Sequence, residues 1–249
     1  MEVITVPGVG EVAEGDPLGE LLALAASRAG IGLAGEDIVV VSHKVVSKRE
    51  GRSRRLTAVQ PGARAEELAR ELGKDARLVE LILGESRSLI RARGGVLIVE
   101  TRQGWICANA GIDSSNVPED DTVVLLPEDA DASARQLRAE LGGPDGPPAV
   151  VIADSFGRPW RVGQTDVAIG CAGLAPLDDW IGRPDASGRP LEATVVAVAD
   201  EVAAAADLVR DKDAGEPAAI VRGLGRYVTH DDGPGAGPLR RAESEDLFR

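Results

Sequence analysis

The chain of 249 residues carries a formal net charge of −13, with 43% hydrophobic and 2% aromatic residues. This length fits one large or two small globular domains, and the acidic balance argues against a nucleic-acid-binding protein, which would present a basic face. No segment reaches the roughly 18 apolar residues of a membrane helix, and no secretory leader is visible, so we expect a cytoplasmic protein that does not bind membranes. Cys107 and Cys171 match no metal-binding spacing and are predicted to be buried free thiols.

Apolar runs and periodic stretches predict strands and helices in the first half of the chain. Residues 38–41 are too continuously apolar for a surface strand and indicate burial on both faces. In chain order we predict a strand at 2–6, a helix capped by Asp16 that runs from Pro17 to Gly30, a strand at 37–46, a solvated basic loop at 49–55, helices at 62–72 and 76–85, a hairpin of 96–100 and 105–108, a strand at 122–126, and a helix to about Leu141.

The second half begins with an apolar run at 149–153 that ends on Asp154 and Ser155. After this buried strand we predict a polar loop at 157–166, a second apolar run at 167–173, an irregular segment at 176–192, a strand, a helix or one passing into the other at 194–210, a strand at 218–221, and a tether or loose end from Thr229. Because strands and helices interleave, the fold class is α/β or α+β. The sequence does not indicate the strand order.

The polar residues that follow the strand at 149–153 form the first candidate site. Open α/β sheets bind ligands at the carboxyl ends of their strands, where this chain has Asp154 and Ser155. Arg158 and Arg161 carry guanidinium groups that suit a phosphate or a carboxylate. The stretch is therefore either a metal-bound anion site or a turn held by an Asp–Arg ion pair.

Two earlier segments contain residues that suit phosphate. The glycine turn at 7–10 directly follows a predicted strand, and its amides could cradle a phosphate, although a plain turn fits as well. Ser42, Lys44 and Lys48 also suit phosphate contacts, or else they form a strand edge with solvated lysines. No P-loop pattern occurs in the chain, so a nucleoside triphosphate would need a less common scaffold.

Acidic residues from different parts of the chain suit a divalent cation. Asp113 and Asn116 form either a cation site with a polar ligand or an Asx-capped turn. Asp113 together with Asp154 would give the two carboxylates that a divalent ion needs. Because carboxylates greatly outnumber the two histidines, Mg²⁺ or Mn²⁺ is favoured over zinc.

Four motifs, in the same order along the chain, resemble those of the coenzyme F420-0:L-glutamate ligases, also called γ-glutamyl ligases. These motifs are Val6 to Gly10, Val45 to Lys48 with Glu50 and Gly51, Ala110 to Asn116, and Asp154 to Arg161 continued by Asp166 to Gly170. The resemblance covers about residues 1–228 and leaves 229–249 as a polar tail or linker.

The resemblance is close to the N-terminal ligase domain of the bifunctional actinobacterial members. In those members, a linker similar to residues 239–249 leads into a nitroreductase-like flavin domain. A stand-alone ligase and a piece of a longer protein both remain open.

The resemblance implies a GTP-dependent ligase in the biosynthesis of coenzyme F420. Such an enzyme joins L-glutamate through its amine to the deazaflavin precursor coenzyme F420-0, extends a γ-linked tail, and releases GDP and phosphate through an acyl phosphate. It also implies two divalent ions, Mn²⁺ or Mg²⁺, together with K⁺. The implied fold has two subdomains, uses no P-loop, and forms an intertwined homodimer.

Individual roles follow from the resemblance by position. It implies that Asp113 and Asp154 hold one metal ion and that Ser155 holds the second. To Asp154 as a catalytic residue we add Arg158 and Arg161, which could orient a carboxylate or phosphate. The residues implied to contact GTP are Pro7, Gly8, Val9, Gly10, Lys48 and Asn116.

The chain departs from the family pattern in three places. Ser155 stands where the family often has threonine, which keeps the hydroxyl. His43 stands where the family often has serine, so the GTP contact falls to His43 itself or to Ser42. Arg210, Asp211 and Lys212 stand near a segment that often reads Met-Gly-Gln. Because lysine is a poor metal ligand, either Asp211 binds the second metal in its place or Lys212 binds phosphate directly.

Two other functions use the same residues. A metal-dependent nucleotide phosphohydrolase would use the same acidic site, and its phosphate release would not depend on L-glutamate. A non-catalytic nucleotide-binding module that partners a flavin domain would bind GTP without turnover.

Overall fold

The computed structural model describes residues 1–114, 121–143 and 146–247. Asn116, one of the predicted GTP contacts, lies outside the described residues. The helices are α1 Leu18–Arg28, α2 His43–Arg49, α3 Ala63–Leu72, α4 Ala76–Gly84, α5 Ala130–Glu140 and α6 Val198–Asp207. The strands are β1 Glu2–Thr5, β2 Ile38–Ser42, β3 Ser53–Arg55, β4 Ser86–Arg93, β5 Val96–Thr101, β6 Ile106–Ala108, β7 Thr122–Val124, β8 Ala149–Arg158, β9 Arg161–Ala172, β10 Asp178–Asp179, β11 Val195–Val196 and β12 Ala218–Arg222.

A five-stranded mixed sheet in the order β1-β12-β2-β8-β9 forms the centre of the fold. β2 and β8 are parallel neighbours, and the other neighbours in this sheet are antiparallel. Alternate residues of β2 and β8 enter two hydrophobic cores, one with α1 and α5 and the other with α6. The continuous apolar runs in these strands therefore reflect burial on both faces, which confirms the α/β class.

A third hydrophobic core lies between α3, α4 and the three-stranded sheet β4-β5-β6. The predicted helices and the hairpin of β5 and β6 are confirmed, whereas β4 was not predicted. Its sequence, SRSLIRAR, is mostly exposed and polar, so it lacks the apolar alternation of a half-buried strand.

Three local predictions in the first half are wrong. The strand predicted to reach Val46 ends at Ser42, because the Ser42 hydroxyl accepts a hydrogen bond from the Lys44 amide (3.4 Å) and starts α2. Asp16 does not cap α1; its carboxylate accepts from the Ala13 amide instead (2.8 Å). The supposed basic loop contains β3, which pairs with β7.

The polar loop predicted at 157–166 is instead the end of a long hairpin. β8 and β9 pair from Val150 opposite Ala172 to Arg158 opposite Arg161. Beyond Ala153, β8 no longer pairs with its parallel neighbour β2, and only β9 remains as its partner. The residues of both strands there are mostly polar, yet the two strands stay paired to the turn.

The C-terminal segment packs against the body where a loose end was expected. Asp232 accepts a hydrogen bond from Arg138 of α5 (2.8 Å), and Asp131 accepts from the Ala236 amide (2.8 Å). Ala236 is fully buried. The domain boundary at residue 228 stays a prediction.

Other expectations are confirmed. Both cysteines are buried and free, and the segment at 194–210 passes from β11 into α6. Among the described residues, no helix combines the length and the apolar character needed to cross a bilayer.

Candidate functional site

A cleft of about 520 Å³ lies beside the carboxyl ends of the parallel strands β2 and β8. β2 ends at Ser42, which pairs with Ala153, and Asp154 is the next residue of β8. This is the sheet edge at which α/β folds bind ligands. The described residues that line the cleft are Gly10, Glu11, Val12, Ser42, Lys44, Val45, Lys48, Ala153, Asp154, Ser155, Asp166, Asp207, Arg210, Asp211, Lys212, Gly215, Glu216 and Pro217.

One wall of the cleft is helix α2. Lys44 and Lys48 are four residues apart and so lie on one face of the helix. Lys48 Nζ is 3.0 Å from a carboxylate oxygen of Glu11, and Lys44 Nζ is 2.9 Å from one of Asp113. Lys44 thus connects Asp113 to the cleft, while the sharing of one ion by Asp113 and Asp154 stays a prediction.

The glycine turn contributes backbone to the same wall. Gly8 and Gly10 have φ values of +76° and +78°, which side chains other than glycine rarely adopt. Of the four residues from Pro7 to Gly10, Gly10 lines the cleft, and Val9 is buried in a hydrophobic core.

Asp154 sits between the cleft and a buried histidine. One of its oxygens accepts a hydrogen bond from the Ser155 amide (2.8 Å) and lies 3.3 Å from His43 Nε2. That nitrogen is close enough for an ion pair, but its geometry makes no hydrogen bond to any described residue. His43 is only 1% exposed. Its ring therefore lies on the buried side of Asp154 and not at the surface of the cleft, where GTP would contact it.

Burial also affects the neighbouring thiol of Cys107. Desolvation and, to a smaller extent, the charge of Asp154 raise the pKa of Cys107 to about 12. The thiol therefore stays protonated and is not a nucleophile at neutral pH.

The opposite wall is centred on a buried ion pair. Asp166 of β9 accepts one hydrogen bond from the Ser155 hydroxyl (2.5 Å) and another from the Arg210 guanidinium. Arg210 also donates to the carbonyl oxygens of Ala206 and Pro217 (3.3 and 3.2 Å). Sequence reasoning missed Arg210 as a site residue, because no local pattern links it to Asp166, which is 44 residues away in the chain.

Lys212 extends from this wall. Its ammonium nitrogen is 3.4 Å from Ser155 Oγ and 3.9 Å from an oxygen of Asp166, and it donates a hydrogen bond to Asp207. Asp211 lines the cleft next to it.

The arginines predicted to be catalytic lie elsewhere. Arg158 and Arg161 are at the exposed tip of the β8–β9 hairpin, and neither is among the described residues that line the cleft. The Arg158 guanidinium donates to the carbonyl oxygens of Val162 and Gly163 (2.8 and 3.4 Å), so it pins the turn of its own hairpin.

The donor set fits one divalent ion better than two. Among the described residues, no group of three or more His, Cys, Asp or Glu side chains is arranged to hold a metal. Mg²⁺ in nucleotide sites is held by one or two carboxylates together with phosphate oxygens, which Asp154 at the cleft surface can satisfy. A second ion at Ser155 and Asp211 would meet the ammonium group of Lys212, so these residues do not fit it.

Comparisons with known proteins agree with these motifs. The family model described as F420-0:gamma-glutamyl ligase matches residues 8–223. A coenzyme F420:L-glutamate ligase of Methanothermobacter thermautotrophicus is 44% identical over 251 residues, which cover 100% of this chain and 99% of the relative. Enzymes of the same name from Methanopyrus kandleri and Haloarcula marismortui are 42% and 44% identical, and the matches cover all of this chain and 98% and 93% of the relatives. The chain therefore belongs to the F420-0:gamma-glutamyl ligase family.

Proposed function

We propose that this chain is a GTP-dependent ligase that joins the amine of L-glutamate to a carboxylate of coenzyme F420-0 and releases GDP and phosphate. The name of the relatives supports the glutamate and coenzyme substrates. In the proposed course, the terminal phosphate of GTP passes to the substrate carboxylate. The glutamate amine then attacks the resulting acyl phosphate, forming the amide bond and expelling phosphate.

The observation that carries the nucleotide part of the proposal is one cleft lined by two lysines, a glycine-turn backbone and Asp154. Lys44 and Lys48 would contact phosphate oxygens, and the backbone at Gly10 leaves room for a phosphate to approach. Catalysis of phosphoryl transfer depends mainly on such positioning and on neutralising charge. The roles of Ser42 and Lys212 as phosphate contacts belong to the same proposal.

A divalent ion is needed because the cleft is acidic. Its described lining has six acidic and four basic side chains, so a triphosphate would meet net repulsion from the protein. Asp154 and Asp113 would hold Mn²⁺ or Mg²⁺, with Lys44 released from Asp113 to contact phosphate. When bound, the ion supplies Lewis-acid stabilisation of the phosphate oxygens. We assign no side chain to the K⁺ that the resemblance implies.

The test combines the protein with GTP, Mn²⁺, L-glutamate and coenzyme F420-0. Mass spectrometry should find products heavier by whole glutamyl units, and phosphate release should require both L-glutamate and the deazaflavin. Phosphate release without either substrate would indicate a phosphohydrolase. Binding of GTP with no turnover would indicate a non-catalytic module.

An intertwined homodimer is part of the proposal. At the tip of the β8–β9 hairpin, Trp160 is 72% and Val162 is 99% exposed, and neighbouring exposed apolar side chains can form a contact patch for a second copy. If this hairpin meets a second copy, Arg158 and Arg161 would act in the cleft of that copy. Light scattering should then give twice the 25.9 kDa mass of one chain, and Val162→Asp should lower it.

A further inference from the structure

The ammonium group of Lys212 occupies an oxygen-lined position at the edge of the cleft. Ser155 Oγ, an Asp166 oxygen and the Asp207 carboxylate surround it, and they come from β8, β9 and the last residue of α6. Oxygen atoms from separate elements that converge in this way form the kind of set that hard cations prefer. In this structure the cation at that position is the ammonium group of Lys212.

The hydrogen bonds around this position leave few lone pairs for a metal. One oxygen of Asp166 accepts from Arg210, and the other accepts the Ser155 hydroxyl proton. The oxygen of that hydroxyl in turn faces Lys212 at 3.4 Å. A divalent ion at Ser155 would have to displace the ammonium group or accept close repulsion from it.

From this geometry, and resting on the proposed function, we propose that Lys212 replaces a second divalent cation. The chain then binds one divalent ion with each nucleotide, at Asp154. The replacement depends on charge more than on shape. The ammonium group supplies the positive charge beside Ser155 that a metal ion would otherwise supply.

Equilibrium dialysis with Mn²⁺ and a slowly hydrolysed GTP analogue tests this directly. No glutamate or deazaflavin is present, so the readout is the ratio of bound Mn²⁺ to bound nucleotide and not activity. We expect a ratio of about one for the wild type and about two for Lys212→Gln, whose amide oxygen can bind a metal. Lys212→Arg, which keeps the charge, should stay at one, as should Lys74→Gln outside the cleft.

The possible results separate the inference from the function on which it rests. A ratio of two in the wild type, or an unchanged ratio in Lys212→Gln, overturns the inference while leaving the ligase proposal intact. If no form of the protein retains the nucleotide, the GTP part of the proposed function fails and the inference fails with it. Lys212 is 72% exposed, so its replacement should not disturb folding.

Discussion

The two walls of the cleft are held in place in different ways. The wall at Ser42–Lys48 is helix α2, whose backbone hydrogen bonds and buried residues fix the side chains that face the cleft. The side chains of Lys44 and Lys48 are 23% and 13% exposed. The wall at 207–217 is a loop between α6 and β12, where Leu208 is 87% exposed.

The difference shows how much of the loop wall depends on one side chain. Arg210 is 8% exposed, and it ties the loop to α6, to Pro217 and to Asp166. The helix wall has several supports, because α2 buries His43, Val45, Val46 and Ser47, and packing of this kind supplies most of the stability of a short helix. Residues 208–217 form no helix or strand, so the loop wall lacks this support.

The largest effect should come from Arg210→Met, which removes the anchor of the loop wall. The change leaves the Asp166 carboxylate, 4% exposed, without its main cationic partner. Breaking a buried pair on one side costs about 3–5 kcal/mol. Urea denaturation should show a loss of this size in the free energy of unfolding.

A double variant distinguishes the cost of leaving the Asp166 charge unpaired from the cost of losing the Arg210 side chain itself. Arg210→Met with Asp166→Leu removes both charges and should recover part of the stability, because no uncompensated buried charge remains. Arg64→Met on the exposed face of α3 is the matched control and should change the stability by less than about 0.5 kcal/mol. A loss below about 1 kcal/mol for Arg210→Met would mean that the loop has other support.

The second prediction concerns Asp154, which follows the buried part of β8 and lines the cleft between its walls. Asp154→Asn keeps an oxygen that can accept from the Ser155 amide, so the fold should persist. The variant loses the charge that would bind the divalent ion, and we expect ligation to slow by about 100-fold or more, equivalent to about 2.7 kcal/mol. The initial rate of glutamyl-product formation, followed by mass spectrometry, measures the loss.

Asp185→Asn is the control for this change, since Asp185 also accepts backbone hydrogen bonds but in a remote turn. It should react at the wild-type rate. A normal rate in Asp154→Asn, with an unchanged melting curve, would remove Asp154 from the proposed site.

The burial of each element explains how much of the fold could be predicted from the sequence. β2, β12 and the first half of β8 are continuously apolar because both faces are buried, and α3 and α5 carry regular apolar stripes, so these elements were recognisable. β3 and β4 were not, because short or exposed strands have no apolar pattern and form through pairing with distant partners. The polar end of the β8–β9 hairpin resembled a loop for the same reason.

The cleft residues divide along similar lines. Asp154, Ser155, Ser42 and Lys48 follow or adjoin recognisable strands and occur in contiguous motifs, so sequence reasoning brought them forward. Asp207 and Arg210 reach the cleft only because α6 packs across β9, which no spacing in the chain reveals. His43 was predicted to contact GTP from its position in the family pattern, which does not show that it begins a helix and is buried.

The third prediction tests the helix wall through Lys48. Its partner Glu11 is 76% exposed, so the ion pair itself should contribute less than about 1 kcal/mol to stability. Lys48→Gln should therefore melt almost as the wild type does, while the KM for GTP rises about tenfold, equivalent to about 1.4 kcal/mol. Steady-state kinetics with varied GTP measure the change, with Lys74→Gln as the control. An unchanged KM would show that phosphate does not reach this end of α2.

The smallest effect should come from Asp200, at the start of the helix that leads to the loop wall. Its carboxylate accepts a hydrogen bond from the Ala168 amide of β9 (2.9 Å), yet burial raises its pKa above the ordinary value of 3.8. The folded state thus keeps this proton to a higher pH than the unfolded chain does, so the contribution to stability falls as pH rises through the window just above 3.8.

Asp200→Asn removes this loss, because the amide can still accept from Ala168 but carries no charge to desolvate. The difference in unfolding free energy, variant minus wild type, should therefore increase between pH 4 and pH 7 and reach about 0.5 kcal/mol in favour of the variant. Urea denaturation of both proteins at several pH values measures it. Asp200 is also in the first turn of α6, where the helix dipole favours a negative charge. A variant that is less stable at pH 7 would mean that the dipole outweighs burial, and that this end of α6 is held by charge.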